Sequence, residues 1–208
     1  MRKRIVPIVV LDREADALPL AEALLRAGQD IVEITFRTAA AEGAIRAIAR
    51  AHPKMLLGAG TLLTPDQVDQ AHQAGARFAL APGLNEKVVR RALELGMQMS
   101  PGVQTASEID RALELGCRYL KFFPAEPAGG ARMLQALWGP FAHLNFRFIP
   151  TGGITPRVLP EYLVLPCVAA VGGSWMVDRK LIAAGDWAQI EKLAGEALAI
   201  AQNVKAKG

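Results

Sequence analysis

The chain has 208 residues, 51% of them apolar and 21% charged, which is enough core-forming material for one compact fold and excludes a disordered or fibrous chain. Lys and Arg total 24 against 20 Asp and Glu, a net charge of +4 with the basic residues scattered rather than massed. That balance argues against a nucleic-acid partner and suits an anionic small molecule. Cys117 and Cys167 each lie in an apolar stretch and make neither a disulfide framework nor a zinc site. The apolar run from Ile5 to Leu11 ends in Asp12-Arg13-Glu14, too short for a signal peptide or a membrane span, so no membrane partner and a cytoplasmic location are expected.

In chain order, short apolar or β-branched runs alternate with Ala/Leu/Glu-rich stretches of helical spacing. Strands are predicted at Ile5 to Leu11, Ile31 to Phe36, Met55 to Ala59, Phe78 to Ala81, Gln98 to Ser100, Tyr119 to Phe123, Phe146 to Pro150 and Val168 to Val171. Helices are predicted at Asp16 to Ala27, Ala40 to Ala51, Pro65 to Ala74, Glu86 to Leu95, Ala106 to Leu115, Gly130 to Leu137, Pro156 to Leu163 and Trp187 to Val204. Threonine caps are expected at Thr64, Thr105 and Thr155, and left-handed helix ends at Gly28, Gly75, Gly96 and Gly116. Strands apolar on both faces suit a parallel sheet covered on both sides. Eight β/α units without a linker read as a single (β/α)8 TIM-barrel domain over 1–208, with an open doubly wound sheet as the alternative.

In such a barrel, chemistry lies at the C-terminal ends of the strands. The polar or turn-forming residues closing successive runs are Glu33 and Arg37, Thr61, Pro82, Pro101, Lys121, Thr151 and the Gly172-Gly173-Ser174 segment. Lys121 is the one lysine embedded in an apolar strand, between Leu120 and Phe122-Phe123-Pro124. Burial disfavours its ammonium form and favours the nucleophilic free amine, although snorkelling or a carboxylate partner would explain it equally well. Glu33 is a mid-strand carboxylate, costly to bury unless paired or used. It could steady Lys121 and carry protons, or form a structural ion pair with Arg37 or another base. Arg37 suits a substrate carboxylate through its forked donors, or is simply solvated. Gly152-Gly153 and Gly172-Gly173 close the seventh and eighth strands, where backbone amides and the Ser174 hydroxyl can meet a phosphate. Gly58-Ala59-Gly60-Thr61 lacks the third glycine of a dinucleotide fingerprint, and His52, His72 and His143 have no ligand spacing and are expected at the surface. No cofactor and no metal are expected.

Taken together, Glu33 to Thr38, Gly58 to Thr61, Lys121 to Glu126, Thr151 to Ile154 and Gly172 to Trp175 resemble the 2-keto-3-deoxy-6-phosphogluconate (KDPG) and 4-hydroxy-2-oxoglutarate (KHG) aldolase family over nearly the whole chain. The resemblance implies a homotrimeric class I aldolase that cleaves a phosphorylated keto acid to pyruvate and glyceraldehyde 3-phosphate. It assigns Lys121 as the Schiff-base lysine and Glu33 as the general acid/base, with Arg37 and Thr61 on the pyruvyl carboxylate. Pro82 and Phe123 would form pocket walls, Thr151 would bear on hydroxyl stereochemistry, and Gly152, Gly153, Gly173 and Ser174 would face the phosphate. A sister group acting on the 6-phosphogalactonate epimer is less similar, lacking the combination of Arg37-Thr38, Phe122 to Glu126 and Thr151. Many family members carry an N-terminal helix before the first strand, whereas this sequence reaches that strand at Ile5, leaving open how the bottom of its barrel is closed. A non-catalytic phospho-sugar sensor and a barrel isomerase using Glu33 as base are the competing readings.

Overall fold

The computed structural model describes residues 4–204. Nine strand segments run in chain order: β1 (Ile5–Val9), β2 (Ile31–Thr35), β3 (Leu56–Gly60), β4 (Phe78–Leu80), β5 (Gln98–Ser100), β6 (Gly102–Val103), β7 (Tyr119–Phe122), β8 (Arg147–Phe148) and β9 (Val171–Gly173). All their pairings are parallel, in the orders β5-β4-β3-β2-β1-β9 and β6-β7-β8. Pro101, which has no N–H to give a ladder, separates β5 from β6, so the two segments form one barrel strand that pairs first with β4 and then with β7. Bridges from Phe148 to Val168 and from Thr151 to Gly172 join β8 to β9 and close the ring. The result is the eight-stranded parallel barrel expected from the alternation.

Helices follow each barrel strand: α1 (Ala17–Arg26), α2 (Ala41–Ala51), α3 (Pro65–Ala74), α4 (Glu86–Glu94), α5 (Ala106–Glu114), α6 (Gly130–Trp138), α7 (Leu159–Leu163), and then α8 (Arg179–Ala184) and α9 (Trp187–Asn203) after the last strand. Thr64 accepts a hydrogen bond from the Gln67 amide, and Thr105 forms a reciprocal capping box with Glu108. Gly28, Gly75, Gly96 and Gly116 all have positive φ, as helix C-caps require.

Beyond end shifts of one or two residues and the unpredicted β6, three features differ from expectation. Thr155-Pro156 opens a turn rather than a helix: the amides of Val158 and Leu159 both return to the Thr155 carbonyl, and regular helix starts at Leu159. The last strand lies at Val171–Gly173, beyond most of the predicted run, because Gly172 and Gly173 pair with Val6 and Pro7. The six-residue α8 was not anticipated, being too short to display a helical period.

The larger core lies between the strands and the helix ring and includes Val9, Val32, Ile34, Leu57, Leu120 and Phe122. A second, small cluster of Val6, Ile31 and Ala170, with Phe78 packed against it, fills the barrel interior. Gly58 leaves room for that Phe78 ring, since a Cβ there would stand 2.1 Å from it. This plug lies toward the strand N-termini and supports the polar layer above it.

Candidate active site

Side chains alternate across a strand, so β2 directs Ile31, Glu33 and Thr35 to one face and Val32 and Ile34 to the other. The same alternation in β7 puts Tyr119 and Lys121 on one face and Leu120 and Phe122 in the outer core. Glu33 (0% exposed) and Lys121 (5%) meet inside the barrel, Lys121 Nζ donating to Glu33 Oε1 at 3.4 Å. Among the described residues Glu33 Oε2 has no hydrogen-bond partner. Such a long contact offsets little of the several kcal/mol that burying each ion costs, so stability gives no reason for this pair. Gly60 is what lets the carboxylate sit there: a Cβ at that position would lie 1.9 Å from Glu33 Oε1. The Lys121 ammonium also stands 5.3 Å from the centroid of the Phe123 ring.

Lys121 borders a cavity of about 400 Å3 at the C-terminal ends of the strands. Arg37, Thr61, Pro82, Phe123, Thr151, Gly152, Gly153, Gly173 and Ser174 all line it, so every residue singled out for substrate contact comes to one place. Glu33 lies buried beside it, in contact with Lys121. Arg37 is exposed in the turn after β2 and forms no ion pair with Glu33; the partner is Lys121. Thr61 has φ 57°, the one positive value among the described non-glycine residues, and such backbone strain concentrates at functional sites.

The ring order separates the two ends of the cavity. Arg37 and Thr61 come from the ends of the neighbouring strands β2 and β3, whereas the Gly152-Gly153 turn follows β8 and Gly172-Gly173 ends β9. Gly152 and Gly153 have φ of 102° and 78°, conformations that leave their amides accessible at little steric cost only because they are glycines. Their turn is held to the preceding loop by bonds from the Ala125 and Glu126 amides to the Thr151 and Gly152 carbonyls. Tyr162, fully buried on α7, donates its hydroxyl to Glu126, and burial pushes that phenol upward from its ordinary value.

Ile8, Val10, Asp178 and Arg179 also line the cavity and were missed from sequence. Ile8 and Val10 carry only the alternation of a strand, and Asp178-Arg179 reads as a solvated loop. Of the histidines, His72 and His143 are exposed as expected, but His52 is half-buried at the end of α2. Among the described residues no three His, Cys, Asp or Glu side chains gather as metal ligands would, and no helix is long and apolar enough to cross a membrane.

Comparison with known proteins agrees with this arrangement. Residues 1–193 match the family model described as KDPG and KHG aldolase. The chain is 48% identical over 199 residues to the 2-dehydro-3-deoxy-phosphogluconate aldolase of Treponema pallidum (strain Nichols), covering 96% of this chain and 94% of that protein. It is 44% identical over 194 residues to the KHG/KDPG aldolase of Escherichia coli (strain K12), covering 93% and 90%. The crystal structure of KDPG aldolase from Legionella pneumophila, with pyruvate captured as a covalent carbinolamine intermediate, superposes with a TM-score of 0.90 at 40% identity over 95% of each chain. With fold, buried pair and full-length similarity in agreement, the chain belongs to the KDPG and KHG aldolase family.

Proposed function

We propose that this chain is a class I aldolase that cleaves 2-dehydro-3-deoxy-6-phosphogluconate to pyruvate and glyceraldehyde 3-phosphate, and also acts on 4-hydroxy-2-oxoglutarate. The observation that carries the proposal is the buried Lys121–Glu33 pair beside a cavity with Arg37 and Thr61 toward one end and the two glycine pairs toward the other.

Cleaving the bond leaves an electron pair on the carbon beside a ketone, and a protonated imine accepts that pair far better than the ketone does. Lys121, as the free amine, attacks the keto carbon; loss of water from the carbinolamine gives the imine. Glu33 carries the protons in and out of that step. Its carboxylate then takes the proton of the C4 hydroxyl as the C3–C4 bond breaks, releasing the aldehyde. The remaining enamine is protonated, and water hydrolyses the imine to pyruvate and free lysine. Arg37 and Thr61 hold the pyruvyl carboxylate, Pro82 and Phe123 wall the reacting carbons, and Thr151 faces the hydroxyl being deprotonated. The amides of Gly152, Gly153 and Gly173, with the Ser174 hydroxyl, bind the phosphate, whose remote binding energy positions the reacting centre. Phe123 beside the Lys121 ammonium and the apolar plug beneath it limit access of water. The step needs no metal, so EDTA leaves the rate unchanged.

Full-length similarity to bacterial metabolic enzymes supports a cytoplasmic location, and the family resemblance supports a homotrimer, which sedimentation equilibrium tests. The decisive assay for the reaction couples pyruvate release to lactate dehydrogenase, with both C4 epimers as substrates. Faster turnover of the gluconate epimer supports the proposal; preference for the galacto epimer would reassign the substrate, and binding without pyruvate release would indicate a sensor.

A further inference from the structure

Arg179 belongs to no motif in the sequence, yet it lines the same cavity as Gly152, Gly153, Gly173 and Ser174. It follows β9, and its guanidinium forms a two-pronged pair with Asp12, which follows the adjacent strand β1: Nε donates to Oδ2 at 2.6 Å and Nη2 to Oδ1. These bonds hold the Asp12 carboxyl below the usual carboxylate range. They use Nε and one Nη2 hydrogen, so both Nη1 hydrogens and the second Nη2 hydrogen remain for another acceptor. Arg37 and Lys121 are the other cations on the cavity wall. Both already have tasks at the opposite end and at the reacting carbon, so among the described residues Arg179 is the one guanidinium lining the cavity in the sector between β8 and β1. Asp178, the acidic residue beside it, is turned to cap α8, its Oδ1 accepting from the Lys180 amide at 2.7 Å.

We propose that Arg179 is a specificity-determining residue that binds the terminal phosphate through Nη1, with Asp12 as the positioning residue that fixes the plane of its guanidinium. A planar, permanently charged fork suits a phosphate dianion. It gains less from 4-hydroxy-2-oxoglutarate, whose distal carboxylate carries a single charge, is bonded directly to C4 and stops three bonds short of the position of the phosphorus. The inference rests on the aldolase reading and specifies how the same site separates phosphorylated from unphosphorylated substrates.

The test compares kcat/KM on 2-dehydro-3-deoxy-6-phosphogluconate with kcat/KM on 4-hydroxy-2-oxoglutarate for the full chain and for R179Q, R179K, D12N and the D12N/R179Q pair. R179Q is expected to lower the ratio of the two about tenfold, the order of a charge-assisted hydrogen bond weakened by solvent, chiefly through KM on the phosphorylated substrate. R179K keeps charge without the fork and recovers part of the loss. D12N gives a smaller loss, and the double variant is no worse than R179Q. An unchanged ratio in R179Q, or a double variant whose losses multiply, would overturn the assignment. Calorimetry with inorganic phosphate supplies a readout independent of turnover. Weaker binding by R179Q supports the inference even if the wild type releases no pyruvate and the aldolase reading itself fails; equal binding contradicts it.

Discussion

Three residues decide whether the site works, and each does so through contacts already described. Glu33 is buried without need for stability, and its second carboxylate oxygen has no partner among the described residues, as suits a group that exchanges protons with substrate. Glu33→Gln should therefore lower kcat by roughly 10²–10⁴-fold, the range for losing an acid/base group, while the protein remains folded by circular dichroism. Gly60 makes the same point without touching the carboxylate's chemistry. A methyl group there would meet Glu33 Oε1 at 1.9 Å, forcing the carboxylate off Lys121. Gly60→Ala should cost roughly 10²-fold in rate, the order expected for a misplacement near 1 Å; unaltered turnover would show that the position of Glu33 is not critical. Lys121 differs from every other described lysine in lying within a buried strand, which is why its candidacy was visible in sequence.

At the scale of elements, caps are written locally and pockets are not. Thr105 and Glu108 satisfy the first turn of α5 reciprocally, so Thr105→Ala should lower stability by about 1 kcal/mol and the melting temperature by about 2–4 °C, as differential scanning calorimetry would measure. The same local chemistry made Gly75 and Gly116 legible as helix ends. By contrast, Gly172 and Gly173 read as a turn and instead extend β9, because only pairing with Val6 and Pro7 makes them strand. Arg179 was illegible for a similar reason. Its neighbours Asp178 and Lys180 look like a solvated surface, and its place on the cavity depends on β9 lying beside β1, a contact between residues far apart in sequence. Glu33 and Lys121 escaped this ambiguity because a charge flanked by apolar neighbours on both sides carries its own signal.

At the scale of the whole molecule, the described residues form eight β/α units with no lid inserted between them, so strand ends and short loops build the site. The helix ring closes over both cysteines: Cys117 and Cys167 are buried, and desolvation pushes each thiol up to about 11. At pH 8 this leaves about a hundredth of the thiolate of an ordinary cysteine, so iodoacetamide should alkylate both at least that much more slowly in the native protein than in urea. Because the folded state raises these values, the stability tied to the neutral thiols is full below about pH 8.5 and is lost as pH rises toward 11; denaturant midpoints across that window would record the decline. The measurement that bears most directly on the whole account is reductive trapping. Borohydride added with pyruvate should produce one covalent adduct, located by peptide mass spectrometry on Lys121 and missing from Lys121→Met, which should also be inactive. An adduct on another lysine, or pyruvate release by Lys121→Met at the wild-type rate, would contradict it.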